Sequence, residues 1–169
     1  SVMITDDHDI YANDLWGDGG RRMTGDRTTG GYPMHPLWVN AVERTQTWHI
    51  PDPADVGPWG DGINAYYTSF DYGGVSFAIL EDRKFKSPPS EVVSEAIRDP
   101  RNDKPNRTPE VIMDPSFDVR KLDRPELHLL GTEQEKFVAK WASQVVKEKR
   151  LAAVLSQSPL VNIGNYDVT

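Results

Sequence analysis

The chain has 169 residues, enough to bury one substantial core, so a single domain spanning 1–169 is expected. Nineteen Lys and Arg against 26 Asp and Glu leave a formal net charge of -7, which argues against nucleic-acid binding through a basic patch, because such binding draws its affinity from clustered cations. Cysteine is absent, which excludes disulfides and thiolate metal sites and leaves carboxylate, imidazole and amide groups as the available metal ligands.

Val2-Met3-Ile4-Thr5 is a short apolar, partly β-branched run that stops at Asp6-Asp7-His8-Asp9. The pattern predicts a strand delivering a polar loop at its C-terminal end, where open α/β sheets hold their chemistry. No apolar run in the chain has the length of a membrane-spanning helix. From Tyr11 to Pro36 the chain is rich in Gly, Asp and Arg and lacks periodicity, so a long irregular excursion is expected. Behind Pro36, residues Leu37, Trp38, Ala41, Val42, Thr45 and Trp48 recur at helical spacing, and Pro51 forbids continuation. This predicts a helix of about three turns whose apolar stripe faces the core.

Pro51 to Gly62 reads as a second irregular connection. Ala65 to Phe70 and Val75 to Leu80 are β-prone runs separated by Asp71-Tyr72-Gly73-Gly74, whose glycines supply the positive φ of a tight hairpin. Ser90 to Arg98 is a short helix candidate, followed by a stretch rich in Pro, Asn and charge that contains the sequon Asn106-Arg107-Thr108. Thr132-Glu133-Gln134-Glu135 has the pattern of a capping box, with Phe137, Val138, Trp141, Ala142 and Val145 following on one helical face. Lys136, Lys140 and Gln144 are expected on the opposite face. Leu151 to Leu155 is an apolar run of strand length, ending at the polar turn Ser156-Gln157-Ser158-Pro159.

The densest chemistry is Asp6-Asp7-His8-Asp9, three carboxylates and an imidazole in four residues. At the tip of a strand such crowding is reasonable if a cation neutralises it, and this ligand set suits iron, manganese or zinc, or calcium where carboxylates dominate. The same residue types equally describe a solvated acidic turn.

Ile4 to Asp9, followed by Asn13-Asp14, resembles the segment of PhoD-like (alkaline phosphatase D type) phosphatases that corresponds to the Gly-Asn-His-Glu/Asp motif of calcineurin-like phosphoesterases. Phe70 to Arg83 is similar to that family's central hairpin with its Asp-x-Arg-like ending. Leu130-Gly131-Thr132-Glu133-Gln134 is similar to its Leu-Gly-x-x-Gln helix start, and Val154-Leu155-Ser156-Gln157 to the strand that follows. The resemblance implies an α/β fold that forms part of a metallophosphoesterase-type αββα sandwich. It also implies hydrolysis of phosphate mono- or diesters at a site of two or more metal ions, iron, manganese, zinc or calcium.

In that reading Asp7, with Asp6, ligates metal, His8 donates a proton to the substrate or leaving group, and Asp9 orients His8. Arg83 and Asn13 contact substrate; a hairpin salt bridge for Arg83 and a turn role for Asn13 stand as alternatives. No Gly-Asp in the chain is followed two residues later by His, so the resemblance implies that this chain carries only part of the site and is poorly active alone. It further implies an extracytoplasmic location, periplasmic or secreted. The competing expectation is a non-catalytic surface protein that binds carbohydrate or calcium through the Tyr11 to Gly31 and Pro51 to Gly62 loops, with Trp16 and Trp59 as the binding aromatics. A chain that keeps the family fold without its activity is the third.

Overall fold

The computed structural model describes residues 1–11, 15–25, 29–88 and 118–158. The helix expected at Ser90 to Arg98, the sequon at Asn106, and Asn13 lie outside the described residues. Helices and a small three-stranded sheet make up the described fold. In chain order they are α1 (Asp7–Ile10), α2 (Pro36–Thr47), β1 (Thr68–Tyr72), β2 (Val75–Ile79), α3 (Thr132–Glu148) and β3 (Leu151–Leu155).

The sheet has the order β1-β2-β3, with β1 antiparallel and β3 parallel to β2. β1 and β2 are joined through Gly73 at φ 58° and Gly74 at φ 81°, so the loop is the two-residue pair of left-handed residues that matches the twist of a hairpin. The first strand therefore runs through Asp71 and Tyr72, two residues later than the sequence pattern suggests. Phe70 lies directly opposite Phe77, and their rings stack with centroids 5.0 Å apart. Parallel pairing of β2 with β3 requires a crossover, and α3 lies between them in sequence, making a β-α-β unit.

α3 lies against β2 on the sheet face that carries Ser76, whose hydroxyl accepts a 3.0 Å hydrogen bond from the Trp141 indole. Val145 and Gln134 are buried, Phe137, Val138 and Trp141 are half-buried, and Lys136, Lys140 and Gln144 are exposed. The predicted face of α3 is thus the inward one. Its predicted capping box is not used: Gly131 is the N-cap, without a side-chain cap, and Thr132 already belongs to the helix. Phe85 dictates this start, because a Cβ on Gly131, at φ 76°, would come within 2.8 Å of the Phe85 ring.

Two further expectations fail. Val2 to Thr5 form no strand among the described residues; Val2 and Met3 are exposed, the Thr5 carbonyl accepts from the Gln157 side chain, and the next N–H, that of Asp6, is taken by Asp9. A strand needs a neighbour for its backbone groups, and here side chains take that role. α2 occupies the predicted span but turns the other way: Val39, Glu43 and Thr47 are buried, while Leu37 (74% exposed), Trp38 and Trp48 (76% exposed) point outward. The i, i+4, i+8 row that faces inward is polar at two of three positions because it meets polar partners. Glu43 meets the Lys84 ammonium, and Asn40 next to this row accepts from Asn64 N–H at 2.8 Å and donates to the Gly62 carbonyl at 2.9 Å.

Among the described residues the apolar core is two small clusters. Ile10, Leu15, Tyr32, Val39 and Ile63 form one under α1 and α2. Ala65, Tyr67 and Phe85, with Trp59 and Phe137 packed on them, form the other at the start of α3. Lys84, 1% exposed, bonds Glu43 and the Asn64 carbonyl, with Glu81 carboxylate oxygen 3.9 Å away.

Candidate functional site

Thr5 to Asp9, the end of β2 continuing into Glu81 to Arg83, and the turn after β3 at Ser156 to Ser158 meet at one end of the sheet. Arg83 Nε donates to Asp6 Oδ1 at 2.9 Å, across 77 residues of sequence. The Gln157 amide donates to the Thr5 carbonyl. Ser156 Oγ and the Ser158 N–H both donate to Asp82 Oδ2, at 2.7 and 2.6 Å. This is the C-terminal end of the parallel pair β2 and β3, the edge at which α/β sheets bind ligands. Asp6 to Asp9 and Ser156-Gln157 therefore share one end of the sheet, although the segment leading to Asp6 is irregular.

The acidic turn has a local explanation that needs no cation. Asp6 is the N-cap of α1: its Oδ1 accepts from the Asp7 N–H at 2.7 Å, its side chain accepts from the Asp9 N–H, and Asp9 Oδ2 accepts from the Asp6 N–H at 2.8 Å. This is a reciprocal capping box built on two aspartates. Asp7 Oδ1 accepts from the His8 N–H at 2.9 Å. On an interior helical turn three neighbouring carboxylates would repel, but at a helix N-terminus each faces unpaired N–H groups and the positive end of the peptide dipoles.

The predicted site residues that are described, Asp6, Asp7, His8, Asp9 and Arg83, take positions in this frame. Asp7 is buried, whereas His8 and Asp9 are exposed. Asp9 spends one carboxylate oxygen on the cap. Asp6 Oδ1 is shared between a backbone N–H and Arg83. Arg83 thus forms a salt bridge, to the acidic turn and not within the hairpin, and that bridge ties two candidate site residues together.

Among the described residues no three His, Cys, Asp or Glu side chains form a group that could hold a metal ion. The described donors near Asp7 are therefore too few to complete a two-metal ligand set. The other histidines stand apart: His35 Nδ1 caps α2 at 3.2 Å from Leu37 N, His49 lies edge-on to Trp48, and the His128 N–H donates to Ser87 Oγ. Trp16 is buried, and Trp59, half-buried, packs against Tyr67 and Phe85.

Behind the site lies a polar layer that the sequence did not single out. Glu81, 1% exposed, accepts from the N–H groups of Arg83 and Lys84 at 3.1 and 3.3 Å. Burial pushes its carboxyl up to about 7, with Lys84 opposing the shift and the carboxylates of Glu43 and Asp82 adding to it. Tyr32, fully buried, has its phenol raised well above the ordinary value by burial first, then by the negative field of Glu81 and Glu43. Gln134, 0% exposed, receives the Glu81 N–H at 2.8 Å and donates to the Glu81 carbonyl at 2.7 Å, binding the first turn of α3 to the chain just past β2. Four consecutive charged residues after an apolar strand carry no signal of which ones turn inward.

No family model, curated protein or solved structure matches the chain.

Proposed function

We propose that the chain belongs to a metal-dependent phosphoric ester hydrolase of the PhoD-like type, acting on phosphate mono- or diesters, with the αββα metallophosphoesterase sandwich as the architecture to which its sheet contributes. The observation that carries this reading is the Arg83–Asp6 bond: it joins the acidic segment and the hairpin ending, two of the resembling segments, and the Gln157 bond to Thr5 adds a third. A basic guanidinium beside an acidic, imidazole-bearing turn suits an anionic ester.

In this reading Arg83, with Nε held by Asp6, presents its remaining N–H groups to a phosphate oxygen. His8, exposed on the first turn of α1, protonates the leaving oxygen. Asp7, with Asp6, is the contribution of these residues to the iron, manganese, zinc or calcium ions of such a site, and Asn13 to substrate contact. The described residues do not complete the ligand set of those ions. An extracytoplasmic location belongs to the same proposal. No helix among the described residues is long and apolar enough to cross a membrane.

The test is hydrolysis of an aryl phosphate monoester and diester with added iron, manganese, zinc or calcium, by this chain and by any longer native chain that contains it. In the form that turns over, His8→Ala lowers the rate by roughly 100- to 10,000-fold with metal content unchanged. Asp7→Ala lowers metal content along with rate. Absence of metal-dependent turnover in every form overturns the proposal, and full activity of His8→Ala overturns the role given to His8.

A further inference from the structure

Four buried side-chain polar atoms of the described residues have no hydrogen-bond partner: Thr5 Oγ1, Tyr32 Oη, Asp82 Oδ1 and Gln157 Oε1. Three of the four lie on the three segments that meet beyond β2 and β3. Those segments are already fastened to one another through the other atoms of the same residues: Asp82 Oδ2 holds Ser156 Oγ and the Ser158 N–H, while Gln157 Nε2 and the Thr5 carbonyl bond directly. Chance scatter of orphaned groups does not explain three at one junction, since buried polar groups are almost always paired.

The chemistry of the orphans restricts what satisfies them. A carboxylate oxygen and an amide carbonyl oxygen only accept, and a hydroxyl accepts as readily as it donates, so the set repels an anion and attracts a cation. Asp82 is 0% exposed, and the cations beside it are engaged elsewhere, Arg83 with Asp6 and Lys84 with Glu43 and Glu81. Among the described residues its negative charge has no ion-pair partner, a costly condition for a buried carboxylate.

We infer that Asp82, Gln157 and Thr5 form the seat of one hard, oxygen-preferring cation of the size of calcium, which clamps the Thr5 segment onto the ends of β2 and β3. Irregular oxygen donors from three segments suit calcium, whose coordination is flexible and completed by water, better than magnesium, which demands near-octahedral geometry. A single carboxylate in the ligand set points to weak binding, with a dissociation constant on the order of 0.1 to 1 mM. The seat is separate from the Asp6–Asp9 turn and does not depend on the hydrolase reading.

Calorimetric titration of the full chain with calcium chloride, paired with thermal unfolding with and without calcium, tests this. Expected are one equivalent bound and a melting temperature that rises with calcium. Asp82→Asn loses about 10-fold or more in affinity, and Glu135→Gln, at an exposed carboxylate on α3, keeps the binding. Thr5→Val serves where Asp82→Asn fails to fold, because the Thr5 hydroxyl makes no hydrogen bond: the variant is as stable as the parent without calcium and responds less to it. No calcium uptake up to about 10 mM overturns the inference, as does uptake that survives both Asp82→Asn and Thr5→Val. Loss of binding in Asp7→Asn with retention in Asp82→Asn assigns the ion to the acidic turn and overturns it too. Hydrolysis enters none of these readouts, so this seat and the phosphatase proposal fail separately.

Discussion

Replacing Gln134 by Met measures how strongly one amide fastens α3 to the strand end that carries Asp82 and Arg83. Methionine nearly preserves volume, so the cavity contribution is small, and what disappears is hydrogen bonding: Glu81 N–H to Oε1 at 2.8 Å, and Nε2 to the carbonyls of Glu81 at 2.7 Å and Leu130 at 2.9 Å. Glu81 is buried, so its backbone N–H and C=O both lose their partner away from water. Each orphaned buried group costs roughly 1 to 3 kcal/mol, partly offset by about 1 to 2 kcal/mol from burying an apolar side chain in place of an amide. The net expectation is a loss of about 3 kcal/mol, a large share of the roughly 5 to 15 kcal/mol that stabilises a domain. Urea unfolding followed by far-UV circular dichroism reads it as a lowered midpoint at unchanged slope. Gln144→Met, on the exposed face of the same helix, changes stability by no more than about 0.5 kcal/mol. A Gln134→Met loss below about 1 kcal/mol refutes the reasoning, because the Glu81 backbone would then have to find other partners.

Glu81 makes stability depend on pH. Its folded pKa, about 7 against 4.5, lies above the unfolded value, so between those limits the folded chain keeps a proton that the unfolded chain releases. Stability therefore falls as pH rises from about 4.5 to about 7 and levels off above, by at most about 3 kcal/mol, and Glu81→Gln flattens that segment of a pH series of urea midpoints. An unchanged profile in Glu81→Gln rejects the assignment. Trp141→Ala removes a half-buried indole and its bond to Ser76, at a cost of about 2 to 3 kcal/mol in the same unfolding assay, whereas a change within about 0.5 kcal/mol means that α3 is not held by this contact. Gly131→Ala meets Phe85 at a positive φ and lowers the melting temperature, while Gly19→Ala, also at positive φ but with open space around it, lowers it less. Equal effects mean that backbone strain alone, and not the Phe85 contact, governs position 131.

Elements whose signals are local were legible from residue order alone. Gly73-Gly74 is enough to turn the hairpin, because two left-handed residues are what the twist requires. Leu151–Leu155 is the strand its apolar run predicts, and the inward face of α3 follows from its 3.6-residue spacing. Asp6 to Asp9 stood out by composition, and Gln157 by its position after a strand. Which charges go inside depends on contacts between distant segments. Leu37, Trp38 and Trp48 look like the core stripe of α2, yet the helix turns Glu43 inward because Lys84, brought from 41 residues away, waits there. Thr132 to Glu135 reads as a capping box but is set aside because Phe85 forces a glycine start, while the working box forms at Asp6 and Asp9. The same holds for Arg83 on Asp6 and for the pairing of Gln134 with Glu81, which join segments 77 and 53 residues apart. Periodicity and propensity act over a few residues, whereas the partner that makes a buried charge tolerable is fixed only when distant segments meet.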